Sequence, residues 1–327
     1  MDTGSSLSWF PCTSRYLCSQ CAFPNVDPAK IPTFAPKRSS SKKLVGCRNP
    51  KCSWLFGPDV ASRCQDCEPT SENCTQTCPP YLIQYGLGST AGLLLVENLV
   101  FPQKTFQDFL VGCSILSNRQ PAGIAGNMLL ETGSGSGDAK TPGLSYTPFY
   151  RNQVASNPNF KEFYYVTLRK ILVGDKHVKV PYSYLVPGSD GNGGTIVDSG
   201  STFTFMERPV FEVVSKEFEK QMGNYRRARE IENISGLAPC FNISGYTSIK
   251  FPELSFQFKG GAKMALPLVN YFSFVGDDKV ACLMIVSDNV VGQGSHGGPA
   301  IILGSFQQQN YYIEFDMANN RFGWAER

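Results

Sequence analysis

The sequence carries the same short motif twice. The chain opens on MDTGSSLSWF and residues 196–205 read IVDSGSTFTF, so Asp2 and Asp198 each begin an Asp-Thr/Ser-Gly-Ser turn. Each copy is followed later by an apolar segment that ends in glycine, GIAG at 123–126 and IILG at 301–304. A repeat of this kind predicts two related β lobes whose turns face each other.

Length and composition agree with two β-rich domains. At 327 residues the chain exceeds the size at which one core usually stops growing, and we place the domains at 1–145 and 146–327. Apolar residues make up 42% and charged residues 17%, which excludes a disordered chain, and 31 glycines and 22 prolines indicate many tight turns. The net charge of +3 is too small to indicate a nucleic-acid partner. No apolar run approaches the ~20 residues that a membrane span needs.

The local patterns predict an all-β fold class with a few short helices. A helix is predicted over 207–223, because four apolar residues recur there at intervals of four: Val210, Val214, Phe218 and Met222. Pro209 suits its first turn. The predicted strands are YLIQY (81–85), AGLLLVENLVF (91–101), DFLVG (108–112), FYYVTLRKILVG (163–174), GTIVD (194–198), LSFQF (254–258), VACLMIV (280–286) and YYIEF (311–315).

The cysteines allow two interpretations. Ten of the twelve fall in the first 113 residues, and CSQC (18–21), CQDC (64–67) and CTQTC (74–78) have the spacing of zinc ligands. These pairs lie in a stretch rich in Ser, Pro, Asn and Thr, and the two histidines, His177 and His296, stand far from them. We therefore favour disulfide bonds over a metal site and expect no metal.

The second half of the chain holds two cysteines, Cys240 and Cys282, which are predicted to pair with each other. Three glycosylation sequons begin at Asn73, Asn233 and Asn242. Disulfides and sequons together predict an oxidising, secretory environment, although the sequence shows no signal peptide. We therefore expect the natural protein to extend before this N-terminus.

The repeated motif can carry acid–base chemistry. A single Asp-Ser-Gly is more often an ordinary turn, but apolar residues on both sides of Asp198 predict a buried carboxyl, which is costly unless it is hydrogen-bonded. If Asp2 and Asp198 share one site, the pair holds one proton over a broad acidic range. One carboxylate can then take a proton from water while the other carboxyl donates to a substrate carbonyl.

The sequence resembles the pepsin-like aspartic proteases, in particular the plant nepenthesin-like and xylanase-inhibitor-like subgroup. The two Asp motifs resemble the family's active-site motifs, YGLGSTAG (85–92) resembles its flap, and GIAG and IILG resemble the segments through which its active-site loops thread. The tail ILGSFQQQNYYIEFDMANNRFGWA and the cysteine-rich stretch 12–78 are also similar. The resemblance implies a bilobal pepsin-like fold with a cleft between two pseudo-twofold-related lobes, and no cofactor.

The resemblance also implies roles for single residues. Asp2 and Asp198 would form the catalytic dyad, and six residues would support it: Thr3, Gly4, Ser5, Ser199, Gly200 and Ser201. The hydroxyls of Thr3 and Ser199 would bond across the two loops. Those of Ser5 and Ser201 would bond the outer carboxylate oxygens.

The predicted flap holds Tyr85 and Gly86, and Trp9 corresponds to the tryptophan that bonds the flap tyrosine. Taken alone, Tyr85 could be an ordinary strand residue and Trp9 an ordinary core residue. Their joint spacing favours the flap interpretation.

The chain departs from the family pattern in two places. Only Met1 precedes Asp2, where the family has strands, and after Gly126 a stretch with a further cysteine is missing. We expect one cysteine between Cys12 and Cys113 to lack its usual partner. We also expect this form of the chain to be inactive or poorly folded, and its complete parent to be active.

The functional hypothesis is an aspartic endopeptidase that cuts peptide bonds in proteins at acidic pH. The alternative is a catalytically impaired homologue of the same fold that binds proteins, for example as an inhibitor of glycoside hydrolases. Relatives of that kind typically lose one or both Asp motifs, whereas this chain keeps both. We expect a monomer that acts on peptides or proteins, without nucleic-acid or membrane partners, in the cell wall or apoplast or in the vacuole.

Overall fold

The chain forms two compact units. The computed structural model describes residues 2–5, 7–21, 31–57, 60–64, 67, 74–85, 88–101, 104–119, 140–152, 161–287 and 297–327. The small unit is Ser6–Pro121, and the large unit combines Met1–Ser5 with Ala122–Arg327. Both Asp motifs therefore belong to the large unit. Asn73, Gly86, the GIAG segment, the stretch after Gly126 and His296 lie outside the described residues.

In its described residues, the small unit has a six-stranded sheet, two short α-helices and the 3-10 helix Pro36–Arg38. Its elements are β1 (Trp9–Pro11), β2 (Leu17–Ser19), β3 (Lys43–Leu44), α1 (Pro50–Phe56), α2 (Val60–Arg63), β4 (Tyr81–Tyr85), β5 (Gly88–Val100) and β6 (Thr105–Asn118). The strand order is β1-β6-β5-β3, with β2 also on β6 and β4 also on β5. The long antiparallel hairpin β5–β6 forms its centre, and β1 and β2 run parallel to β6.

Five disulfide bonds stabilise the cysteine-rich part of the small unit. They join Cys12 to Cys113, Cys18 to Cys21, Cys47 to Cys64, Cys52 to Cys78 and Cys67 to Cys74. All ten of these cysteines are thus paired with one another, and the expectation that one of them lacks its usual family partner stays a prediction. Neighbouring strands explain one pair, because Phe10 lies opposite Cys113 in the β1–β6 ladder and Cys12 follows two residues later.

The described residues of the large unit form three sheets. Its strands are β7 (Ser145–Tyr150), β8 (Tyr165–Val166), β9 (Leu168–Val173), β10 (Lys176–Val178), β11 (Thr195–Val197), β12 (Thr204–Met206), β13 (Arg226–Arg227), β14 (Cys240–Asn242), β15 (Leu254–Phe258), β16 (Lys263–Ala265), β17 (Phe272–Val275), β18 (Val280–Leu283), β19 (Ile285–Ser287), β20 (Ile301–Leu303), β21 (Tyr311–Asp316) and β22 (Arg321–Glu326). Its helices are α3 (Tyr182–Leu185), α4 (Arg208–Gln221), α5 (Arg229–Ser235) and α6 (Ser305–Gln308). The sheet orders are β10-β9-β15-β16, β19-β12-β20-β11-β8-β7-β22-β21 and β13-β14-β18-β17.

Helix α4 covers the core of the large unit, as the apolar spacing predicts. Val210, Val214 and Phe218 are completely buried, and Pro209 stands in the first turn. The ring of Phe218 meets that of Phe272 edge-on, with centroids 5.6 Å apart. Burying each of these side chains stabilises the fold by about 1.5–3 kcal/mol, which explains why helix α4 forms against the core of the large unit.

The predicted pair Cys240 and Cys282 is bonded. The two residues lie directly opposite each other on the antiparallel strands β14 and β18, and a disulfide joins them. The bond therefore ties two strands of one sheet together inside the large unit.

Two apolar runs that the sequence predicts as single strands are divided in the structure. At Thr167 the run 163–174 passes from the eight-stranded sheet, through β8, to a four-stranded sheet, through β9. Met284 divides the run 280–286 in the same way, because β18 and β19 belong to different sheets. The strand assignments are otherwise confirmed, with YLIQY and LSFQF matching β4 and β15 residue for residue. Within the described residues, no helix is long and apolar enough to cross a membrane.

Candidate active site

The second Asp motif lies on the loop that joins β11 to β12, and in the sheet β20 lies between these two strands. Strand β11 leads into Asp198, and β12 carries the chain away. Strand β20 runs between them, parallel to β11 and antiparallel to β12. The N–H of Asp198 donates to the carbonyl of Leu303, the last residue of β20, at 3.0 Å. The apolar IILG segment thus anchors the incoming end of the loop that carries Asp198.

The residues after β20 hold the rest of this loop. Gly304 lies against the backbone of Phe203, and a Cβ at this position would overlap the Phe203 carbonyl, so glycine is required. The backbone N–H groups of the next two residues, in α6, donate to the carbonyls of Ser201 and Thr202 at 2.7 and 2.8 Å. The loop is therefore fixed by main-chain hydrogen bonds rather than by its own turn alone.

The first motif meets the second through reciprocal hydrogen bonds. The hydroxyl of Thr3 accepts from the N–H of Ser199 at 2.9 Å and donates to the carbonyl of Val197 at 3.3 Å. In return, the hydroxyl of Ser199 accepts from the N–H of Thr3 at 3.3 Å. Thr3 is buried, so these bonds are shielded from water. The arrangement places the two Asp-Thr/Ser-Gly turns against each other.

The glycine of each motif makes room for the aspartate of the other. A Cβ on Gly4 would overlap the carboxylate of Asp198, and a Cβ on Gly200 would overlap the carboxylate of Asp2. Each carboxylate also accepts a hydrogen bond from the glycine of its own turn, Asp2 from Gly4 at 2.9 Å and Asp198 from Gly200 at 2.7 Å. The two carboxyl groups are therefore brought to one place and oriented there.

The two halves of the site differ in one contact. The hydroxyl of Ser201 donates to Oδ2 of Asp198 at 2.6 Å, as the resemblance implies. Ser5 and Asp2 are both described, and no hydrogen bond joins them. A main-chain hydrogen bond from Ser305 to the carbonyl of Ser201 holds the latter residue in place, and within the described part of the chain Ser5 has no such support.

Burial sets the electrostatics of Asp198. The residue is 8% exposed, and removal from water raises the pKa of this carboxyl because the charged form is disfavoured. The charge of Asp2 raises the pKa further, while the hydrogen bonds from Ser201 and Gly200 lower it. A carboxyl whose pKa is raised beside a second carboxyl can keep a proton at acidic pH.

The small unit contains the predicted tryptophan–tyrosine pair. The indole Nε1 of Trp9 donates to the hydroxyl of Tyr85 at 2.8 Å. Tyr85 is the last residue of β4 and pairs with Gly88, the first residue of β5. The tyrosine is thus held near the tip of a β-hairpin.

Two of the three sequons lie in the described part of the chain. Asn233 is exposed on α5 and Asn242 is exposed at the end of β14. The side chain of Asn242 accepts hydrogen bonds from the N–H and the hydroxyl of Ser244, the serine of the same sequon. Both sites can be reached from solvent.

The cysteine pairs with zinc-like spacing are all in disulfide bonds. Among the residues that the structure describes, no group of three or more His, Cys, Asp or Glu side chains could hold a metal ion.

One contributor to the site escapes the sequence analysis. The buried amide of Gln307 accepts a hydrogen bond from the N–H of Thr204, at the outgoing end of the loop that carries Asp198. The run of three glutamines that begins three residues after IILG is the signal that could have indicated it, because uncharged amides next to a core segment often satisfy buried backbone groups.

Fold and site together define a plant aspartic protease-like protein with the pepsin-like fold. Residues 1–137 match the family model described as xylanase inhibitor N-terminal, and residues 163–326 match that described as xylanase inhibitor C-terminal. The chain belongs to this family.

Individual relatives agree with this classification. The chain is 27% identical over 404 residues to a probable aspartyl protease of Arabidopsis thaliana, covering 100% of this chain and 78% of the relative. It is 28% identical over 359 residues to the aspartic proteinase nepenthesin-1 of Nepenthes gracilis, covering 99% and 73%. The crystal structure of edgp superposes with a TM-score of 0.64 at 18% identity, covering 99% of this chain and 87% of that one, which shows the shared fold.

Proposed function

We propose that the protein is an aspartic endopeptidase that hydrolyses peptide bonds at acidic pH. The observation that carries the proposal is the paired geometry of Asp2 and Asp198, in which each carboxylate packs against the glycine of the opposite motif. The hydrogen bonds between Thr3 and Ser199 support this geometry. An oriented pair of carboxyls with one proton is the arrangement that acid hydrolysis of an amide requires.

The reaction follows from the state of the two carboxyls. Asp198, whose pKa burial raises, carries the proton, and the Asp2 carboxylate accepts a proton from the attacking water. The water oxygen bonds to the carbonyl carbon while Asp198 gives its proton to the carbonyl oxygen. When the C–N bond breaks, the amine leaves with the proton that Asp2 took. One hydroxyl of the tetrahedral intermediate returns its proton to Asp198 as the carboxylic acid product forms, so both carboxyls are ready for the next cycle.

The flap, the location of the protein, its monomeric state and its substrates are proposed together with the catalytic role. Tyr85, held by Trp9, would close over a bound peptide as a flap. The disulfide bonds and the exposed sequons at Asn233 and Asn242 favour a secreted or vacuolar glycoprotein. We infer a monomer that acts on protein substrates with apolar side chains around the cleaved bond.

A second candidate function is supported by the family to which the chain belongs. Its two family models are described as xylanase inhibitor domains, so a protein-binding role without catalysis fits the same fold. An inhibitor needs a complementary surface but no oriented carboxyl pair. The retention of both Asp motifs favours the protease.

One experiment separates the two candidates. The purified chain is incubated with an acid-unfolded protein between about pH 2 and pH 7, and new N-termini are counted. A second form carries, from a relative, the segment before its first Asp motif and the stretch that the relative has after Gly126. Cleavage that is greatest in acid and absent in Asp198→Asn is the expected result. Inhibition of a xylanase without cleavage by either form would support the inhibitor instead.

A further inference from the structure

The second catalytic loop rests on a fully buried amide side chain. Gln307, in α6, is 0% exposed and makes three side-chain hydrogen bonds. Its Oε1 accepts from the N–H of Thr204 at 2.8 Å. Its Nε2 donates to the carbonyls of Asn270 and Met284, each at 2.9 Å. Both N–H groups of the amide and its oxygen are therefore satisfied.

These contacts complete the hold of α6 on the catalytic loop. The two residues before Gln307 bind the carbonyls of Ser201 and Thr202 through their backbone N–H groups. Gln307 binds Thr204, where the loop ends and β12 begins. Helix α6 therefore holds the outgoing half of the loop through hydrogen bonds to Ser201, Thr202 and Thr204.

Replacing the Gln307 amide by an apolar group would destabilise the folded protein. A side chain of equal size that lacked its polar atoms would leave one N–H and two carbonyls buried without partners, at about 1–3 kcal/mol for each group. Asn270, which is also fully buried, reinforces the position by donating from Nδ2 to the main-chain carbonyl of Gln307 at 3.2 Å. These hydrogen bonds hold the Gln307 amide in one orientation.

We propose that Gln307 is a positioning residue for Asp198. It acts through the loop, because the loop carries Ser201, whose hydroxyl binds the Asp198 carboxylate. The inference rests on the proposed protease function, since it assigns Gln307 to the same site. Loss of Gln307 should let the loop move and thereby release the hydrogen bond on Asp198.

The first test needs no catalytic activity. Amide hydrogen exchange is followed by mass spectrometry in the 327-residue chain and in the variants Gln307→Met and Gln309→Met. Gln309 is the matched control, because it receives the same substitution and its own side chain is exposed. Gln307→Met should speed exchange in residues 198–204 by about tenfold, with Gln309→Met unchanged. Equal exchange in all three proteins, or a uniform increase over the whole large unit, would refute the positioning role.

The second test uses the split between kcat and KM, in whichever form of the protein cleaves peptide. Gln307→Met should lower kcat by about tenfold and change KM less than about twofold, as expected for misplaced catalytic groups. Gln307→Glu is the conservative variant: when protonated in acid it keeps the acceptor for Thr204 and one donor. It should retain most of kcat at about pH 3.

Failure of the inference and failure of the proposed function give different results. If no form of the protein cleaves peptide, the protease proposal falls, while the exchange measurement still decides whether Gln307 holds the loop. If the protein cleaves peptide and Gln307→Met keeps its full kcat, the positioning role is wrong and the protease proposal stands.

Discussion

Removing the Ser201 hydroxyl should destabilise the folded protein more at neutral pH than in acid. The perturbed contact is the 2.6 Å hydrogen bond from Ser201 to Oδ2 of Asp198. Burial already raises the pKa of Asp198, the charge of Asp2 adds to this, and the hydrogen bond from Ser201 works in the opposite direction. Ser201→Ala therefore raises the pKa of Asp198 further.

The size of the effect follows from the type of bond. A hydrogen bond to an ionised group contributes about 1.5–3 kcal/mol and one between neutral groups about 0.5–1.5 kcal/mol. The difference, about 1 kcal/mol, is the extra stability that the folded protein loses with the Ser201 hydroxyl when the Asp198 carboxyl is ionised. It applies only where this carboxyl is ionised in the folded protein.

The sign of the pH dependence is fixed by the direction of the shift. Because the pKa of Asp198 is raised on folding, its contribution to stability is present below the unfolded value of about 3.9 and is lost as the pH rises through the folded value. Ser201→Ala enlarges that loss. Relative to the unsubstituted protein, the variant should therefore lose about 1 kcal/mol more at pH 7 than at pH 3.

The assay is thermal unfolding at pH 3 and pH 7. For a unit of this size, 1 kcal/mol corresponds to about 2–4 °C in Tm. Ser5→Ala is the matched control, because its hydroxyl does not bond Asp2 in the structure, and it should show no pH-dependent loss. The reasoning would be refuted if Ser201→Ala lowered Tm equally at both pH values, or if Ser5→Ala behaved in the same way.

Two further predictions concern stability alone. The hydroxyl of Thr195 is buried without a hydrogen-bond partner, so Thr195→Val should stabilise the protein by about 1 kcal/mol in urea unfolding. Thr204→Val, which removes the acceptor of a 3.1 Å bond from Gly304, should instead destabilise it by about 1–3 kcal/mol; equal effects would contradict this account. Replacing Cys240 and Cys282 together by serine should lower stability by about 2–5 kcal/mol, and an unchanged unfolding midpoint would argue against a structural disulfide.

The sequence was most informative where local chemistry determines the geometry. The Asp-Thr/Ser-Gly turns could be predicted because glycine permits close approach and hydroxyls bond neighbouring backbone groups, and the bonds between Thr3 and Ser199 have the expected form. Helix α4 could be predicted because its apolar face repeats with helical period. The pair Cys240–Cys282 followed from the lack of other partners in that half.

The sequence was less informative where distant segments decide the outcome. The unequal roles of Ser5 and Ser201 depend on the main-chain bond from Ser305, more than 100 residues further on. The burial of Gln307 depends on backbone groups in three different segments, which no periodic pattern shows. The apolar run 163–174 is divided at Thr167 because its two parts, β8 and β9, belong to different sheets. These are tertiary effects that residue spacing does not encode.

The most direct test of the central claim is the peptidase activity of Asp2→Asn, Asp198→Asn and the double variant, measured in a form of the protein that cleaves peptide. Asparagine preserves the shape of the side chain but cannot exchange a proton, so each single substitution should lower kcat by at least about 100-fold. If the two carboxyls act as one unit, the double variant should be no worse than either single one, because the losses are not additive. Substantial activity in either single variant, or losses that multiply in the double variant, would contradict a shared catalytic pair.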